Sequence, residues 1–172
     1  ENISGEWYVS STKYGPFVHA RLGVAEENSG KLVTKVRRTA HGLAESAHLD
    51  CVIIDGPPGI GCPVIASLSG VDLGLIVTEP TISGIHDMER VAGVARHFGI
   101  PAACVVNKYD INPQNTARIE AWCKENSLPV LGRIPFDRSV TASITAGLPV
   151  VEYTENLVTM EVRQIWERLI DG

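Results

Sequence analysis

Asp50-Cys51-Val52-Ile53-Ile54-Asp55-Gly56-Pro57-Pro58-Gly59-Ile60-Gly61 is the stretch on which the fold turns. Its apolar run is too short for a helix and is bounded by turn-forming residues, so residues 51–54 read as a strand buried on both faces. An aspartate closes the run, and two prolines and three glycines follow between Gly56 and Gly61. Proline stiffens a loop while glycine supplies backbone angles closed to other residues, a combination suited to a switch with two defined shapes.

Towards the C-terminus the same alternation repeats. The periodicity predicts helix at residues 64–69, strand at 73–77, helix at 83–97, strand at 102–106, helix at 113–126, strand at 130–134 and helix at 139–146. A last helix over 155–170 carries Val158, Val162, Ile165 and Leu169 on one stripe, which predicts docking on the core. Continuously apolar strands separated by amphipathic helices mean a doubly wound, mainly parallel α/β sheet with helices on both faces. Towards the N-terminus, Leu32, Val36, Ala40 and Leu43 share one face of a helix over 30–47, which follows Asn28-Ser29-Gly30. Residues 6–22, broken by Tyr14-Gly15-Pro16, read as a hairpin. The whole, 1–172, reads as one domain: a hairpin region over 1–29 and an α/β core over 30–172.

A net charge of −5 with scattered Lys and Arg offers no basic field for a phosphate backbone, which argues against a nucleic-acid partner. No apolar stretch approaches the length of a membrane span, and no basic-then-apolar leader opens the sequence; the expectation is a cytoplasmic globular chain without stable membrane insertion. Cys51, Cys62, Cys104 and Cys123 lack C-x-x-C spacing, which points to reduced thiols with at least two buried in strands.

In open parallel sheets ligands sit beyond the carboxyl ends of the strands, so three loops carry the chemistry. In the first, Asp55 is placed to bind Mg²⁺ directly or through water, and Gly56, Gly59 and Gly61 let backbone N–H groups approach a γ-phosphate. In the second, Glu79 precedes Thr81 and Ser83, either of which can cap the next helix; capping alone accounts for both hydroxyls. His86 and Asp87 on that helix read as a solvated face. In the third, the Asn107 amide offers a donor and an acceptor in one plane, matching a purine edge, and the turn through Pro135 forms an opposite wall.

Taken in order, DCVIIDGPPGIG (50–61), LIVTEPT (75–81), VVNKYD (105–110) and LGRIPFD (131–137) resemble the MinD/ParA/Mrp group of deviant P-loop ATPases, from Asp50 to about Leu157. YGPFVHARL, ENSGKLVTKVR and IIDGPPGIGCP are similar to the branch in which a ferredoxin-like domain with 4Fe-4S clusters interrupts the ATPase, often labelled cobyrinic acid a,c-diamide synthase-like or CobQ/CobB. The label does not carry amidotransfer here, because no glutaminase nucleophile with its base is recognisable. The resemblance implies ATP and Mg²⁺ as cofactors, with Asp55 in the magnesium and switch region and Gly56 to Gly61 as the switch loop. It implies an adenine site at Asn107, Asp110, Pro135 and Asp137, and a dimer interface or second switch at Glu79, Thr81 and Ser83. A homodimer or paired homologous subunit is expected, with a redox or iron–sulfur protein as a further partner.

The sequence departs from the group at one point. G-x-x-x-x-G-K-[ST] occurs nowhere, and Ser29-Gly30-Lys31-Leu32 has only the Gly-Lys pair. The chain therefore reads as the C-terminal part of the ATPase, with phosphate cradle and cluster cysteines expected before Glu1. A sheet without its P-loop strand is expected to close by rearranged strands, a second copy or further polypeptide. The leading expectation is an ATPase linked to iron–sulfur or electron-transfer chemistry that is inactive as this chain alone. The alternative is a metal-cluster or protein-binding carrier without hydrolysis, with Cys62 ligating a cluster shared between two subunits. A partitioning role finds no basic patch or basic tail to support it.

Overall fold

A computed structural model describes residues 5–22 and 29–171. The chain forms two compact units, Glu1–Val71 and Asp72–Gly172.

In the first unit β1 (Gly5–Thr12) and β2 (Gly15–Leu22) pair antiparallel, with Thr12 opposite Gly15. The tight reversal needs the positive φ of 128° that glycine supplies at position 15, and the Thr12 hydroxyl accepts from the Tyr14 N–H at 3.2 Å. One face of the hairpin stacks Tyr8, His19 and Phe17, with ring centroids 5.3 and 4.9 Å apart. Trp7 points the other way, and Lys35 of α1 (Ser29–Ala47) lies 5.0 Å over its ring. Asn28, expected just before this helix, lies outside the described residues. α2 (Cys62–Leu68) joins α1 through Arg37, whose Nη1 donates to the Ala66 carbonyl at 2.6 Å.

Residues 51–54, expected as a buried strand, join no sheet among the described residues. They run without regular structure, and Ile53 is 78% exposed. The reason is a missing neighbour: an apolar extended run becomes a strand only when another strand accepts and donates its backbone hydrogen bonds.

The second unit holds a parallel sheet of β3 (Gly74–Thr78), β4 (Ala102–Asn107) and β5 (Val130–Ile134) in that spatial order, with α3 (Ile82–His97) and α4 (Pro113–Glu125) as crossovers. The strands keep their chain order, and among the described residues no further strand joins this sheet. Ile76, Cys104 and Val106 face the crossover helices and meet Ile85, Met88, Ile119 and Cys123. Ala103 and Val105 point to the opposite face and are equally buried, which is why β4 is apolar from Ala102 to Val106.

A register shift falls between Cys104 and Val105: Cys104 pairs with Val130 and Val105 with Gly132, so Leu131 is extra. Its carbonyl accepts from Arg168 Nη1 on α7 (Leu157–Asp171). The bulge turns Gly132 to the Val105 face, where Ile165 of α7 occupies the space a side chain would need. Val158 and Ile165 of the expected stripe are buried there. The expected last helix forms unbroken as α7, and α5 (Arg138–Thr145) and a short α6 (Val150–Tyr153) that the periodicity does not predict precede it. Asn156 and Thr159 bond reciprocally at the α7 start, Asn156 N to Thr159 Oγ1 at 2.9 Å and Thr159 N to Asn156 Oδ1 at 3.1 Å.

Only two cysteines are buried, Cys104 in β4 and Cys123 in helix α4, whereas Cys51 and Cys62 are exposed. Among the described residues no helix is long and apolar enough to cross a membrane.

Candidate functional site

The carboxyl ends of β3, β4 and β5 present three loops that are tied to one another. Thr78 is in register with Val106, so the chain leaves β3 and β4 at the same level. Glu79 and Lys108 then meet, Oε1 to Nζ at 2.7 Å, as a half-exposed pair. Lys108 adopts the left-handed conformation, φ 54° and ψ 42°, and turns the backbone into a single 3-10 turn at Tyr109–Ile111. The Thr116 hydroxyl donates to the Tyr109 carbonyl at 2.7 Å, and the Arg133 guanidinium lies 5.2 Å from the Tyr109 ring centroid. From this turn Asp110 Oδ1 accepts from the Phe136 N–H at 2.7 Å, joining the loop after β4 to the loop after β5. Asn115 Nδ2 closes the ring by donating to the Pro80 carbonyl at 3.1 Å.

Each helix that leaves this edge is capped from its own loop. Thr81 Oγ1 accepts from Gly84 N at 2.9 Å, as capping predicts, with the Ser83 hydroxyl 3.2 Å away. Asn112 caps α4 at 3.1 Å, and Asp137 caps α5 through Ser139 N at 2.7 Å. The Ser139 backbone N–H, and then its hydroxyl, hold the Asp137 carboxyl below the usual carboxylate range. His86 and Asp87 lie exposed on α3, as a solvated face requires.

Asn107 ends β4, half-buried, and Pro135 follows β5. Thus Glu79, Thr81, Asn107, Asp110, Pro135 and Asp137 share one edge of the sheet. Asp110 and Asp137 spend carboxylate oxygens on backbone N–H groups there. Lys108, Phe136 and Asn115 belong to this edge as well and were not singled out from the sequence. The signal for Lys108 was available: two parallel strands ending in register place Glu79 and the Asn107-Lys108 pair side by side.

Asp55, Gly56, Gly59 and Gly61 lie in the first unit, on the loop that runs into α2. Asp55 is exposed, Gly59 has φ 91°, and the Gly61 carbonyl accepts from Val64 N at 3.0 Å as the helix begins. Cys62 is the first residue of α2 and is exposed. Among the described residues no group of three or more His, Cys, Asp or Glu could hold a metal ion.

The family model for the NUBPL iron-transfer P-loop NTPase, of the ParA group, matches residues 29–170. The chain belongs to this ParA family. An uncharacterized protein of Methanocaldococcus jannaschii is 30% identical over 154 residues, covering 90% of this chain and 50% of that protein. An iron–sulfur cluster carrier protein of Pyrococcus horikoshii is 26% identical over 156 residues, covering 83% of this chain and 52% of that one. The chain thus spans about half the length of the curated relatives it matches. Its fold is that of MinD: the septum site-determining protein MinD of Pyrococcus horikoshii, solved with Mg-ADP, superposes with a TM-score of 0.65 at 20% identity over 81% of this chain and 56% of that one. The stitched edge of β3, β4 and β5 is the carboxyl end of the parallel sheet, the end where ligands bind in open α/β sheets generally.

Proposed function

We propose that this ParA-family chain supplies the base-binding edge and the switch loop of an ATP-hydrolysing NTPase that works in an iron–sulfur or electron-transfer setting. The observation that carries the reading is the clamp of three loops at the sheet edge, made by the Glu79–Lys108 pair and the Asp110–Phe136 bond. Solvent-facing loops do not need such ties to fold, whereas a preformed ligand edge does. Asn107 would meet the base edge, with Pro135 as the opposite wall.

Asp55 offers one exposed carboxylate at the switch loop. That fits Mg²⁺, which keeps several waters and takes one or two carboxylates with substrate phosphates. When bound, Mg²⁺ neutralises charge on the phosphates; Gly56 and Gly59 leave the loop backbone open to a γ-phosphate. Glu79, Thr81 and Ser83 would form the second switch or the face met by a paired subunit. A phosphate cradle needs consecutive backbone donors and a lysine. These 172 residues contain no G-x-x-x-x-G-K-[ST], so on this reading they would bind phosphate only together with a cradle supplied from elsewhere.

Calorimetric titration of Mg-ATP into the folded 172-residue chain tests this. Binding weaker than micromolar by the chain alone is expected, with micromolar binding and turnover once a MinD-type P-loop segment is joined to it. Tight binding by the chain alone would show the cradle argument to be wrong, and no binding by the joined protein would sink the nucleotide reading.

A second reading has one observation in its favour, the exposed Cys62 at the start of α2. One thiol per chain cannot hold a cluster, so a carrier would need Cys62 from two copies. Iron that co-purifies anaerobically and is lost on Cys62→Ser would support it; iron-free protein would remove it.

A further inference from the structure

On the nucleotide reading proposed above, a purine lies beside the loops that follow β4 and β5. We infer that Phe136 is the stacking surface for that base, and that Asp110 is a positioning residue that holds the Phe136 backbone instead of reading the base itself.

Phe136 is 52% exposed although its backbone is fixed from both sides. On one side its N–H donates to Asp110 Oδ1 at 2.7 Å, across 26 positions of sequence. On the other, Asp137 is committed to Ser139 N at 2.7 Å, which sets the start of α5. Pro135 precedes it and fixes its own φ. Asp110 is itself immobilised, because the Tyr109 carbonyl receives the Thr116 hydroxyl and Lys108 is tied to Glu79.

An exposed phenylalanine alone calls for no explanation. A charge-assisted bond spent on the amide of that one residue does, since water would satisfy the same N–H in an exposed loop. The bond orders the loop before any ligand arrives, so binding does not bear that cost. What the ordered loop displays is a flat apolar ring at the ligand end of a parallel sheet, and aromatic faces take up bases by stacking. With one carboxylate oxygen of Asp110 committed to Phe136, the polar recognition of the base edge falls to Asn107.

The test is an NMR titration of the 172-residue chain with adenosine, which carries no phosphate and so is independent of any cradle. Adenosine at millimolar concentration is expected to shift the Phe136 ring and the amides of Asn107, Asp110 and Phe136. Phe136→Ala should weaken it by roughly fivefold or more, and Phe136→Tyr by no more than about twofold. Asp110→Asn, whose amide oxygen still accepts from the Phe136 N–H, should bind as the parent does, whereas Asp110→Ala should behave like Phe136→Ala. Should Asp110→Ala fail to fold, Asp110→Asn and Phe136→Tyr still decide the matter.

Equal binding by Phe136→Ala, or no shift in the parent chain, overturns the proposal. So does a change of preference between adenosine and guanosine in Asp110→Asn, because that would make the carboxylate a reader of the base. Failure of the ATPase reading is seen separately, as a P-loop-joined protein that never turns over ATP while the adenosine titration behaves as stated.

Discussion

At the residue scale, the carboxylates of the sheet edge are structural groups as much as chemical ones. Asp137 takes its depressed pKa from the Ser139 N–H it caps, so the cap contributes stability above the ordinary carboxylate range and loses it as the pH falls through the lowered folded value. An NMR titration should place its midpoint below 3.8, and the first amides of α5 should exchange faster only below that midpoint. A midpoint at or above 3.8 would mean the cap is not formed in solution. Thr81→Ala, which removes the neutral cap of α3, should cost about 1 kcal/mol in denaturant unfolding; Thr81→Ser should recover most of it. These roles were only partly legible beforehand. Thr81 stood out because a hydroxyl before a helix has a local function. Asp110 was placed against the base on motif alone, and its actual partner, the Phe136 N–H, is 26 residues away, a pairing no local pattern encodes.

At the element scale, the helices and parallel strands beyond residue 72 follow from periodicity, because burial on two faces leaves a continuous apolar run that has no other use. Residues 51–54 carry the same signal and make no ladder, since a strand is a property of a pair and composition describes one member only. The bulge at Leu131 was likewise invisible: one extra residue in LGRI reverses the facing of Gly132, and only the pairing with β4 reveals it. That reversal has a measurable consequence. A Cβ at Gly132 would lie 2.6 Å from Ile165 Cγ1 and 2.9 Å from Cδ1, so α7 must shift to admit it. Gly132→Ala should destabilise the chain by roughly 1–3 kcal/mol. Adding Ile165→Ala should cost less than the sum of the two single changes, because the second empties the space the first requires. Strict additivity would place α7 elsewhere than on this face of β5.

At the scale of the whole molecule, the two units differ in how much each buries within itself. Among the described residues, Ala44, Val64 and Ser67 are the buried side chains of the first unit, whereas the second encloses β4 on both faces and buries Cys104, Val106, Ile119 and Cys123 to 0% exposure. Local opening free energy follows the apolar contacts that must be broken, so the hairpin, α1 and α2 should open well before β4 does. The four free cysteines report this without added probes, since Cys51 and Cys62 lie exposed in the first unit while the Cys123 thiol and burial push the Cys104 thiol up in the second. A thiol reagent should label two cysteines in the native chain at once. The other two should react only at the rate at which the second unit unfolds, rising with denaturant in step with loss of the parallel sheet. Native hydrogen exchange should rank β4 as the most protected strand and α1 and α2 well below it. Exchange of all these elements through one common opening would mean that the first unit draws its stability from the second, and that the ParA-family chain behaves as one cooperative body despite its unequal cores.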